Sequence, residues 1–100
     1  MKREPEFDQR MAGIYRRAKK EVNYNASRFL EMLSEHGGVQ TAHMLLASAQ
    51  VSDGYTALWE KGRLDLTVEA LVLEEDWGLF SDEELAVARR RLTDYEYLSR

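Results

Sequence analysis

Apolar side chains recur at Phe7, Met11, Ile14, Tyr15, Ala18 and Val22. Their spacing places them on one face of an α-helix. The pattern predicts a helix over residues 6–22, with Pro5 near its first turn, where an N–H would have no partner anyway. Asn23-Tyr24-Asn25 interrupts the stripe. Asn25 is the predicted N-cap of a second helix over 26–36, with Ala26, Phe29, Leu30 and Leu33 inward, and His36-Gly37-Gly38 has the chemistry of a helix C-terminus. Val39, Ala42, Leu45 and Leu46 predict a third, short helix that fades in Ala47-Ser48-Ala49-Gln50.

Ser52-Asp53-Gly54 opens a predicted fourth helix through Tyr55, Leu58 and Trp59, closed by Lys61-Gly62. Residues 63–68 alternate apolar and polar, a strand signal, but no second stretch could pair with them. Asp65 or Thr67 is therefore read as the cap of a fifth helix over 66–76, with Val68, Leu71 and Val72 inward. Ser81-Asp82-Glu83-Glu84 fits a capping box behind Phe80, and Leu85, Ala88 and Leu92 carry a sixth helix to about residue 94. The expectation is an all-α single domain over 1–100, a compact orthogonal bundle of about six short helices, with 1–5 and 96–100 frayed. Tyr55, Trp59 and Trp77 are candidates for an interaction hot spot, against which a domain this small assigns them to its core.

Composition narrows the picture. With 100 residues, 44% apolar and 32% charged, the chain has the size of one domain. The lack of cysteine excludes disulfides, a thiolate nucleophile and thiolate metal ligands, and makes the cytoplasm the default compartment. Apolar runs reach four residues, as at Ala70-Leu71-Val72-Leu73, against the ~20 of a membrane helix. The start, Met1-Lys2-Arg3-Glu4-Pro5-Glu6, lacks the apolar core of a signal peptide. Residues 1–50 hold eight Lys/Arg and six Asp/Glu, net +2, and residues 51–100 hold six and twelve, net −6, giving −4 overall. Such a balance disfavours general binding to nucleic acid, although a local basic patch is compatible with it.

Few residues point to catalysis. His36 and His43 are separated by Gly37-Gly38, and zinc requires three or four ligands, so they are read as a helix-terminal and a surface histidine, with no metal or cofactor expected. No serine sits in a nucleophile elbow, Gly37-Gly38 is too short for a phosphate cradle, and so small a bundle is expected to leave little volume for a cleft. The chain is thus read as a non-enzyme. Arg16-Arg17-x-Lys19-Lys20 forms a cationic face opposite the apolar stripe. Glu74-Glu75-Asp76 ends one helix, Asp82-Glu83-Glu84 begins the next, and Arg89-Arg90-Arg91 completes the polarity of the last. The candidate partner-binding residues are Arg16, Arg17, Lys19 and Lys20 on one side, and Glu74, Glu75, Asp76, Asp82 and Glu83 on the other.

Two resemblances bear on function. Residues 39–67 run helix, loop, helix and then Arg63-Leu64, which resembles the helix-turn-helix of small excisionase-type and MerR-type regulators. There the second helix presents Arg, Lys, Asn or Gln to bases, whereas this one carries Asp53, Thr56 and Glu60. The strings Ser52-Asp53-Gly54-x-x-x-Leu58-Trp59-Glu60-x-Gly62-Arg63-Leu64-Asp65-Leu66-Thr67-Val68-Glu69 and Phe80-x-x-x-Glu84-Leu85-x-x-Ala88-Arg89-x-Arg91-Leu92 resemble a family of small all-helical bacterial and phage proteins with no assigned activity. That likeness implies a recurrent helical module and no catalytic residue. The sequence thus leads to a non-enzymatic interaction module, a regulator, adaptor or inhibitor that meets another protein in a larger bacterial or phage complex such as a nuclease or defence system. The alternative is a DNA-binding regulator using residues 39–67.

Overall fold

The amphipathic stripe that begins at Phe7 becomes α1 (Glu4–Val22) in the computed structural model, which describes residues 3–97. The helix starts two residues earlier than the pattern predicts, because Pro5 fits its first turn and the acidic Glu4 and Glu6 favour its positive end. It ends at Asn23, whose left-handed backbone (φ 56°) closes the last turn. The chain continues through α2 (Ser27–Ala47), α3 (Asp53–Glu60), a 3₁₀ turn (Leu64–Leu66), α4 (Val68–Glu74) and α5 (Asp82–Asp94). No strand occurs among the described residues, so the alternation over 63–68 marks the 3₁₀ turn and the start of α4. Of the segments expected to fray, 1–2 and 98–100 lie outside the described residues.

Five α-helices stand where about six are expected, and the difference lies at Gly37. The predicted second and third helices abut as two segments of α2, interrupted at the expected Gly37, whose φ 79° and ψ 171° are non-helical and a conformation that side chains resist. The kink exposes backbone N–H groups of the second segment, and Asp8 of α1 accepts the one from Gly38 at 2.9 Å. A Cβ on Gly38 would stand 3.0 Å from the Asp8 Cα, so glycine also permits the close approach of α1 to α2. Asn25 does not cap α2 as expected. Its Oδ1 instead accepts a hydrogen bond from the Tyr15 hydroxyl at 2.8 Å, and α2 starts without a side-chain cap.

The remaining starts follow their sequence signals. Ser52 caps α3, Thr67 caps α4, and Ser81 with Glu84 forms the full capping box of α5. Helix α4 is shorter than its predicted 66–76. The main core joins Phe7, Met11 and Ile14 of α1 to Ala42 and Leu46 of α2, Val68, Leu71 and Val72 of α4, Trp77 and Ala88. Trp77 meets Phe7 edge-on at 5.2 Å and donates its indole N–H to the Leu71 carbonyl at 3.0 Å. Trp59, expected in the core, is 46% exposed and only leans edge-on against Tyr95. Its place at the last turn of α3 turns it outward while Tyr55 and Leu58 take the inward positions. Among the described residues no helix is long and apolar enough to cross a membrane.

Candidate functional site

At helical pitch the cations of α1 divide into two sets. Arg3, Arg10 and Arg17 follow one another at seven-residue steps along one flank, and each meets carboxylates. Arg10 holds Glu74 at 2.5 Å, Arg3 holds Glu75 at 2.5 Å, and Arg17 holds Glu21 at 2.9 Å. Arg63, beside the 3₁₀ turn, extends the row by gripping Glu21 at 2.8 Å and Asp65 at 3.0 Å. Arg17 and then Arg63 hold the Glu21 carboxyl down at about 2, and Arg63 likewise keeps Asp65 below the usual range. Arg16, Lys19 and Lys20 remain exposed and form no salt bridge among the described residues.

The two sets of candidate residues therefore fare differently. Glu74 and Glu75 pair with Arg10 and Arg3 inside the molecule, which fastens the end of α4 to α1. Asp76 accepts the Gly78 N–H at 3.1 Å in the turn after α4. Asp82 and Glu83 are exposed in the first turn of α5. Arg17 belongs to the paired flank, which leaves Arg16, Lys19 and Lys20 as the outward cationic face.

A half-open cleft of about 550 Å³ lies between α1, α2, the 48–52 loop, α3 and the start of α4, with Ile14, Tyr15 and Ala18 as its α1 wall. Its volume contradicts the expectation that so small a bundle leaves little room. The reason is side-chain size: Ala18, Ala26, Ser27, Ser48, Ser52 and Gly54 line it and leave space between walls that Tyr15, Tyr24, Phe29, Met32 and Leu58 make apolar. Arg28, Asp53 and Glu69 are the charged residues of its lining.

The wall formed by α4 contains a charge that the sequence reading passed over. Glu69 is 3% exposed and meets Arg91 of α5, 8% exposed, at 2.9 Å. Arg91 also donates to the carbonyls of Ser48 at 2.6 Å and Leu45 at 3.2 Å, so one guanidinium ties α4, α5 and the end of α2 together. In return the Tyr55 hydroxyl donates to the Arg91 carbonyl at 3.0 Å. Burial pushes the Glu69 carboxyl up; a backbone hydrogen bond and Arg91 pull it back without cancelling the rise. Burial, followed by the nearby Glu69 charge, raises the Tyr55 hydroxyl too. A signal did exist: Glu69 is the one acid within Val68-Glu69-Ala70-Leu71-Val72-Leu73. A helix apolar on every side is buried, so an acid within it requires a partner. Arg91 was hidden because a run of three arginines near a helix C-terminus already has a dipole explanation.

Neither histidine lines the cleft. His43 meets Glu84 at 2.5 Å and packs against Phe80, linking α2 to the capping box of α5, while His36 faces Glu35. Burial alone would raise the Glu84 carboxyl, but the Ser81 N–H and His43 outweigh it and leave it lowered. Among the described residues no three His, Asp or Glu side chains are grouped to hold a metal ion. On α3, the base-reading helix of the DNA alternative, Asp53 and Glu60 are exposed and Ser52 is spent on its cap. No family model, curated protein or solved structure matches the chain. The resemblance carried by the strings around Ser52 and Phe80 accordingly adds no residue roles, and the site rests on its own geometry.

Proposed function

We propose that this chain is a non-enzymatic protein-interaction module, an adaptor or regulator that binds an acidic surface of a partner protein through the outward face of α1. The observation that carries the reading is the division of the α1 cations. Arg3, Arg10 and Arg17 each meet a carboxylate of this chain, whereas Arg16, Lys19 and Lys20 meet none among the described residues. Exposed charges of one sign raise the encounter rate with an opposite surface and fix its orientation. Nucleic acid is the weaker reading, because the exposed Asp53 and Glu60 of α3 would face phosphate.

The test is affinity purification from the native cells, comparing the natural chain with an Arg16→Glu/Lys19→Glu/Lys20→Glu variant. The expected result is a protein partner recovered by the natural chain and lost by the variant, whose thermal unfolding stays cooperative. Recovery of nucleic acid alone, released by salt, would replace the reading with the DNA alternative.

A further inference from the structure

We infer, independently of what α1 binds, that the first segment of α2, residues 27–36, is a hinged flap that swings about Gly37 as an intact helix and gates the cleft, while the second segment stays fixed to the core. The two segments are held in different ways. The second supplies every buried residue of α2: Gly38, Thr41, Ala42 and Leu46. Side chains of two other helices also fasten it, since Asp8 of α1 accepts the Gly38 N–H, Glu84 of α5 meets His43, and Arg91 of α5 donates to the Leu45 carbonyl. The first segment has no buried residue. Among the described residues no side-chain hydrogen bond or salt bridge ties it to another element, and His36 meets only its neighbour Glu35. Its attachment is apolar and partial: Phe29 and Leu33 pack half-buried against the core, while Leu30 is 42% exposed. A segment held by so little buried surface belongs to the least stable part of a fold.

Both ends of the segment permit the motion. At Gly37, φ 79° and ψ 171° lie in a region that essentially only glycine occupies, and a Cβ there would meet nothing within 4 Å, so backbone conformation and not packing requires the glycine. Glycine also enters the helical region without strain, and α2 would then run straight. Hinges absorb a motion in a few such residues at element ends. At the other end Asn23 has a left-handed backbone, α2 starts without a side-chain cap, and the Tyr15–Asn25 hydrogen bond is the strap that holds the flap down. Phe29 and Met32 of the flap line the cleft together with Ile14 of α1. Opening at Gly37 widens the cleft and uncovers Ile14, which is buried when the flap is down.

The chain has no cysteine, so single introduced thiols report exposure cleanly. Ile14→Cys and Met11→Cys stand one helical turn apart on α1, the first on the cleft wall and the second against Gly38 of the fixed segment. Each full-length variant is labelled with an aromatic disulfide reagent, and each rate is set against that variant's own unfolding equilibrium in urea, which separates local opening from global unfolding. The expected result is an opening at position 14 about a hundredfold or more populated than global unfolding, with position 11 reacting through global unfolding alone. Gly37→Ala disfavours the bent backbone and is expected to raise the rate at position 14 by about tenfold. Tyr15→Phe removes the strap without touching the hinge and is expected to raise it severalfold, which keeps the test open should the first variant fail to fold. The backbone N–H groups of residues 33–36 are expected to stay better protected from exchange than the thiol at position 14 is from labelling, because the helix moves intact. Equal protection at both positions, or a rate at position 14 that neither hinge nor strap alters, would overturn the inference. So would amides that exchange as readily as the thiol reacts, since the segment would then melt and not swing.

Discussion

The two ends of α1 share one amphipathic pattern and meet opposite surroundings. At the N-terminal end Phe7 and Met11 are fully buried beneath Trp77, and Arg3 lies over the Trp77 ring at 4.3 Å while its guanidinium reaches Glu75. At the C-terminal end Tyr15 and the buried Ala18 line the cleft, where Ala26, Ser27, Ser48, Ser52 and Gly54 stand among larger side chains such as Phe29, Met32 and Leu58. Periodicity says which side of a helix is covered. The size of the residues opposite decides whether the cover closes, and that is where a cleft arises.

The largest expected effect lies at the sealed end. Trp77→Ala removes an edge-on aromatic contact and a buried hydrogen bond and is expected to cost about 3–5 kcal/mol, measured as a fall in the urea midpoint. A cost near 1 kcal/mol would show that this end is no more tightly packed than the cleft.

Next comes the Glu69–Arg91 pair in the wall of the open end. Arg91→Met strands a buried carboxylate and the Ser48 carbonyl, for an expected loss of about 3 kcal/mol at neutral pH. The folded state raises the Glu69 carboxyl, so it holds a proton more firmly than the unfolded chain. Stability tied to this group is therefore greatest below the unfolded carboxyl range, near pH 4.3, and falls as pH rises through the folded value. Without Arg91 that fall steepens, and the deficit against the natural chain narrows on acidification. Glu84, Glu21 and Asp65 act the other way in both proteins, since their lowered carboxyls lose stability as pH falls below about 4. A deficit constant with pH would mean that Glu69 does not depend on Arg91.

Smaller effects refine the comparison. Trp59→Ala is expected to cost about 1 kcal/mol, its edge contact with Tyr95 being the main loss. Gly54→Ala is expected to stabilise by up to about 1 kcal/mol, since its Cβ meets only ordinary contacts on the cleft wall. Destabilisation there would mean that the wall is already closed.

The sequence made the helices legible because their signals are local. The stripe from Phe7, the caps at Ser52 and Ser81 and the glycine stop at Gly37 all act within a turn or two of the chain. What escaped was set by distance. Nothing near Asp8 announces that it accepts the N–H of Gly38, and nothing near Glu74 announces Arg10. Trp59 was misplaced since a tryptophan at the end of a two-turn helix fits either side of it. The cationic face was legible as composition, but only the pairing of Arg17 with Glu21 separates it from Arg16, Lys19 and Lys20. The cleft was hidden, since small residues scattered over five segments show no period.

The most direct check of the open end is an NMR experiment in dilute isobutanol or phenol, reading intermolecular NOEs from the small probe to the protein. Binding capacity at the open end predicts NOEs concentrated on Ile14, Phe29, Met32 and Leu58, with none on Phe7, Met11 or Trp77. Probe contacts gathered instead on Trp59 and Tyr97, or spread evenly over the surface, would contradict it.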